Sequence, residues 1–100
     1  MNHEQYLKSM LEIGYSQEDA EGLIWLSRDS SDMVLRTYNF VPTTDGLYEV
    51  WFSNERDGFF RVGGVADSGP AVTLDDAYQY VFERKRSWRE KQVRLRPNSA

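Results

Sequence analysis

Cysteine is absent from the chain, which excludes disulfides and thiolate zinc sites and leaves a reducing compartment open. Histidine occurs once, as His3, close to a terminus of the kind that frays in most domains. General acid–base catalysis usually recruits histidine or a tuned carboxylate. A serine triad would have to use His3, and no serine stands in a Gly-x-Ser-x-Gly elbow. Apolar runs stay far below the roughly 18 residues that span a bilayer. The opening MNHEQYLKSMLEIG has polar and acidic residues where a signal peptide needs a basic start and an apolar stretch. GGVADSG lacks the Lys-Ser/Thr ending of a phosphate-binding loop. Asp67, Asp75 and Asp76 lack the ligand spacing of a calcium loop. These absences predict a cytoplasmic protein that is not an enzyme, with no cofactor, no metal site and no membrane contact.

The chain does have apolar and aromatic residues, 40% and 14% of its 100 positions, too many for a disordered segment. That length is near the commonest domain size and predicts one core. Charge is divided along the chain. Residues 1–83 carry five basic and fifteen acidic side chains, net −10, whereas residues 84–100 carry seven basic ones and Glu90, net +6. A basic end on an acidic body points either to an interaction tail or to docking of the tail on the body.

Tyr6, Leu7, Met10 and Leu11 form one helical stripe ending at Gly14, which predicts a helix over 3–13. Ser16 with Asp19 three residues on approximates a capping box. Ala20, Leu23, Ile24 and Ser27 then share a face, predicting a second helix over 17–28. From Asp32 the pattern changes to stretches rich in Val, Phe, Tyr, Trp and Thr, broken by TTDG and NERDG. Asp-Gly is a strong hairpin signal, so strands are expected at 33–41, 47–53 and 59–66. Tyr48, Val50, Phe52, Phe60 and Val62 are expected to face the core. Thr73, followed by Asp75 and Asp76, opens a last helix with Leu74, Ala77, Tyr78 and Val81 on its apolar stripe. The expected fold is α+β, α-α-β-β-β-α: a three-stranded antiparallel meander packed with helices. It forms one domain over 1–96, with a basic helical extension at 84–96 and a flexible tail at 97–100.

Core-facing Val50 and Phe52 put Trp51 and Phe59 on the opposite face of the sheet, where Tyr38 or Leu35 could join them. The two N-terminal helices have apolar stripes to bury, which predicts that they cover this face and enclose Trp51. The alternative is an open aromatic patch for a partner protein. On the last helix, Lys85, Trp88 and Gln92 continue the stripe of Ala77 and Val81, and Arg84, Arg86, Arg89, Lys91 and Arg94 surround it. Trp88 is then the anchor of a projecting helix. A nucleic acid could use these cations for phosphate and Trp88 for stacking. Glu90 is placed to pair with Arg86 and Arg94.

Several family resemblances are carried by short stretches. Gly14, Tyr15 and Ser16 followed by Ala20 resemble a helix-turn-helix turn, which implies DNA reading by the next helix, although Glu18, Asp19 and Glu21 would oppose phosphate there. Ile13-Gly14-Tyr15, with Ala20 and Leu23, resembles the loop of ubiquitin-associated domains. The α-β-β-β-α order is similar to double-stranded-RNA-binding domains, but Asp75 and Asp76 stand where those present lysines. TLDDA resembles the helix entry of HicB-type antitoxins. In size, acidity and layout the chain resembles small phage-encoded accessory proteins, including anti-CRISPR and host-takeover inhibitors, which implies occupation of a host protein's functional surface. Glu18, Asp19, Glu21, Asp29 and Asp32 would then mimic nucleic-acid phosphates against a basic site. The expected function is protein–protein interaction through Trp51, Phe59, Trp88, Arg89, Arg94, Glu18, Asp19 and Glu21, with nucleic-acid binding through 84–96 as the alternative.

Overall fold

Asn2 starts α1 (His3–Glu12) with a reciprocal cap: its side chain accepts from the Gln5 N–H, and the Gln5 side chain accepts from the Asn2 N–H, both at 2.8 Å. The helix closes on Gly14, whose φ of 101° is strained for any residue with a Cβ. Gly14 N–H donates to Leu11 O (3.1 Å) and Tyr15 N–H to Met10 O (3.0 Å), the paired bonds of a Schellman turn. Ser16 caps α2 (Gln17–Gly22) by accepting from the Asp19 N–H at 3.1 Å. This computed structural model describes residues 1–56, 58–62 and 71–95, with side chains to residue 93. The expected strand residues 63–66, the Arg94 side chain and the 97–100 tail lie outside the described residues.

The second helix is shorter than its periodicity suggested, ending at Gly22, and Ile24–Leu26 forms strand β1 instead. Glycine lowers helix propensity by about 1 kcal/mol, and the IWL that follows is richer in strand formers than in helix formers. Extended, it gains ladder bonds from Tyr38 N–H to Leu23 O (2.8 Å) and from Ser27 N–H to Phe40 O (3.0 Å). The fold is therefore α+β with four strands among the described residues, not three. β2 (Tyr38–Pro42), β3 (Tyr48–Asn54) and β4 (Gly58–Arg61) follow, in the sheet order β1-β2-β3-β4. β1 runs parallel to β2 and the other pairs are antiparallel. β2 begins at Tyr38 rather than residue 33, because residues 27–37 are needed as the crossover that a parallel pair requires.

Thr73 caps α3 (Leu74–Leu95), its hydroxyl accepting from the Asp76 N–H at 3.1 Å. Just before it, Val72 exchanges backbone bonds with Tyr48 (2.7 and 2.8 Å), which fixes the helix start to the sheet. Tyr38, Phe40, Val50 and Val62 pack with Tyr6 and Met10 of α1, Ala20 of α2, and Ala77, Tyr78 and Val81 of α3. The Tyr6 hydroxyl donates to Ala20 O at 2.7 Å and joins the first two helices. Tyr78 stacks against both Tyr6 (centroids 5.4 Å apart) and Phe40 (5.2 Å). The three helices of the described residues thus lie on one face of the sheet. The N-terminal pair does not cover Trp51. Its stripes are satisfied by Tyr78 and by the Tyr38, Phe40 and Val50 side of the strands. Tyr38 belongs to this core face, and Phe60 shares it at the sheet edge with 40% of its surface exposed.

Candidate functional site

Strand alternation sends one row of side chains to the face away from the helices. Register places Trp25, Asn39, Trp51 and Arg61 side by side across β1, β2, β3 and β4, with Phe59 diagonal to Trp51. Trp51 is held by its neighbours. Its indole N–H donates to Glu49 Oε1 at 3.2 Å, and Glu49 Oε2 lies 3.5 Å from the Arg61 guanidinium. Phe59 and Trp25 are 43% and 41% exposed. Contrary to expectation, the helices do not cover this face; among the described residues only the crossover lies on it.

The crossover is attached at one end of that face by Asn39, which is fully buried. The Asn39 side chain accepts from the Val34 N–H (2.8 Å) and donates to Val34 O and Thr37 O (3.0 Å each). Ser53, also fully buried, donates its hydroxyl to Val34 O at 3.0 Å. The segment is thereby fixed with the Val34 and Leu35 side chains exposed, extending the apolar surface. At its other end the Trp25 indole donates to Asp32 O (3.1 Å). The result is an apolar surface that includes Trp25, Trp51 and Phe59, rimmed by the Arg36–Glu55 and Arg28–Asp32 ion pairs.

The basic helix is placed differently from the expectation. Trp88 is 53% exposed, so it does not anchor α3. Arg89 does: its guanidinium carbon lies 4.3 Å from the centroid of Tyr15, the residue that the Gly14 turn positions. Lys85 and Arg84 lie over Tyr38 (5.5 Å) and Tyr80 (6.0 Å), and Arg86 over Phe82 (5.5 Å). Burial, with Arg84 adjacent, pushes the Lys85 ammonium below the usual lysine range. Arg86 meets Glu83 at 3.8 Å rather than the expected Glu90. Arg84–Tyr80 and Arg86–Phe82 are contacts within α3, whereas Lys85–Tyr38 and Arg89–Tyr15 tie the helix to the body as far as Arg89.

The predicted site residues with described side chains fall into four places. Trp51 and Phe59 share the open face. Arg89 joins Glu18 and Asp19 around a shallow depression beside Tyr15, and Trp88 faces elsewhere. Glu21 lines a different depression, with His3 and Leu26. Asp29 and Asp32 are turn ligands: Asp29 accepts from the Ser31 N–H (2.8 Å) and hydroxyl (2.5 Å), and Asp32 from the Arg28 N–H (2.9 Å). These bonds lower both carboxyl pKa values. Trp25, Asn39, Glu49 and Arg61 escaped the sequence reading. The available signals were a polar Asn inside YNFVP and four large apolar residues directly after a glycine.

Among the described residues no group of three or more His, Asp or Glu side chains is placed to hold a metal ion, and no helix is long and apolar enough to cross a membrane. Protein-family models, curated proteins and solved structures gave no match to this chain, so the functional reading rests on its own residues.

Proposed function

We propose that the protein is a non-catalytic protein–protein interaction module that modulates or inhibits a partner protein by docking on the open face of its sheet. The observation that supports this is Trp51, secured through Glu49 to Arg61 on a face that none of the described helices covers. A fixed tryptophan loses little entropy on binding, and Trp and Arg dominate the energetics of protein interfaces. The partner that fits offers an apolar ridge, such as one side of an amphipathic helix, flanked by charges of both signs. Those charges would meet the Arg36–Glu55 and Arg28–Asp32 pairs at the rim and the Glu49–Arg61 pair beside Trp51.

The test is affinity capture compared across variants. The wild-type chain should retain one stoichiometric protein that is lost with Trp51→Ala and with Phe59→Asp and kept with Trp88→Ala. Capture that survives both open-face substitutions would overturn the reading, as would assembly of the chain with a second copy of itself through that face and nothing else.

A further inference from the structure

On the flank of α3 away from Arg89, a cavity of about 610 Å³ lies between helix and sheet, lined by Tyr38, Tyr80, Arg84, Lys85, Trp88 and Lys91. That volume is in the range of ligand sites. Its charge is one-sided. Glu83 is the carboxylate at the cavity, and it is already engaged by Arg86 (3.8 Å) and by the Gln79 amide (3.0 Å). Among the described residues, Arg84, Lys85 and Lys91 have no ion-pair partner. Lys85 is half-buried beside Arg84, an arrangement of like charges that an entering anion would relieve.

Aromatic surface accompanies the charge. Trp88 is half exposed and makes no ring contact among the described residues. From Tyr38 the row continues across the sheet through Phe52 (4.8 Å) to Phe60 (6.1 Å). We infer that this groove binds a single-stranded nucleic acid, with phosphates on Arg84, Lys85 and Lys91 and a base stacked on Trp88. An acidic peptide without aromatic side chains would satisfy the cations but offers no flat π-face to Trp88. A duplex keeps its base faces stacked inside, whereas a single strand exposes them. The net −10 of residues 1–83 repels a long polyanion and confines the contact to α3.

Fluorescence anisotropy of the full chain with a labelled deoxythymidine strand of about 12 nucleotides tests this, a length within known single-strand site sizes. Three phosphate contacts predict that log K falls with log salt at a slope near −2, at about −0.7 per contact. Trp88→Ala should weaken binding about tenfold, in the range of one lost base stack. Lys91→Glu should weaken it and flatten the slope, and Phe59→Asp should leave it unchanged. Both α3 positions are exposed, so the variants are expected to fold, which circular dichroism checks. Absence of binding at low salt overturns the inference. So does equal affinity of Trp88→Ala, and so does binding of thymidine monophosphate or a blunt duplex as tight as that of the strand.

Discussion

Arg89 rests on Tyr15, guanidinium carbon to ring centroid 4.3 Å. This one relationship explains how a basic helix sits on an acidic body without a ladder of ion pairs. The Gly14 turn presents the ring, and the planar cation lies over it with its Nε buried and, among the described residues, without a hydrogen-bond partner.

Removing that contact should loosen the helix. Arg89→Ala is expected to cost about 1 kcal/mol, the size of a partly desolvated cation–π pair. For a domain of this length that is a fall in Tm of roughly 4–8 °C. Arg89→Lys should recover only part of it, because an ammonium cannot lie flat on the ring. Thermal unfolding of the three chains checks the order.

Tyr6 gives a pH dependence. Burial raises its phenol pKa far above the ordinary tyrosine value, and Tyr78 and Tyr80 are raised by the same cause. The unfolded chain releases these protons near pH 10 and the folded chain only above that. Stability is thus complete below pH 10 and falls as pH rises beyond it. Tyr6→Phe should shrink that alkaline loss. It should also cost about 1–2 kcal/mol at neutral pH, since Ala20 O loses its donor. Urea midpoints at pH 7 and above pH 10 separate the two effects.

Asn39 holds the crossover onto the open face through Val34 and Thr37. Asn39→Ala leaves buried backbone groups unpaired and is expected to cost about 2–4 kcal/mol. Amide exchange at Val34 should accelerate more than at Val50 in the core. Equal acceleration at both would show that Asn39 is not what fixes the segment.

Arg36 has a left-handed φ of 59°. The left-handed region costs a residue with a side chain about 1 kcal/mol, while its exposed pair with Glu55 offsets little. Arg36→Gly should therefore leave Tm level or raise it, and Arg36→Val should lower it by several degrees. A fall in both would mean that the ion pair outweighs the backbone.

Helix ends and hairpins were legible because single residues govern them: Ser16, Thr73 and Gly14 do what their chemistry dictates. β1 was not, because Ile24 and Leu23 fit a helical stripe as well as a strand, and only the distant Tyr38–Phe40 segment decides between them. The Trp51–Phe59 pairing on one face followed from alternation alone. That the face stays open did not, since it depends on all the helices finding burial around Tyr78. Trp88 was misplaced for a related reason. The stripe of α3 turns toward Tyr15 beyond Val81, and that ring comes from another part of the chain.

The chain's three tryptophans report on the central claim, because Trp25 and Trp51 lie on the open face and Trp88 on α3. Their indole N–H signals should be followed by NMR while the captured partner protein is titrated in. The account predicts that the Trp25 and Trp51 signals shift or broaden while Trp88 stays in place. Movement of Trp88 alone, or of none of the three, would contradict it.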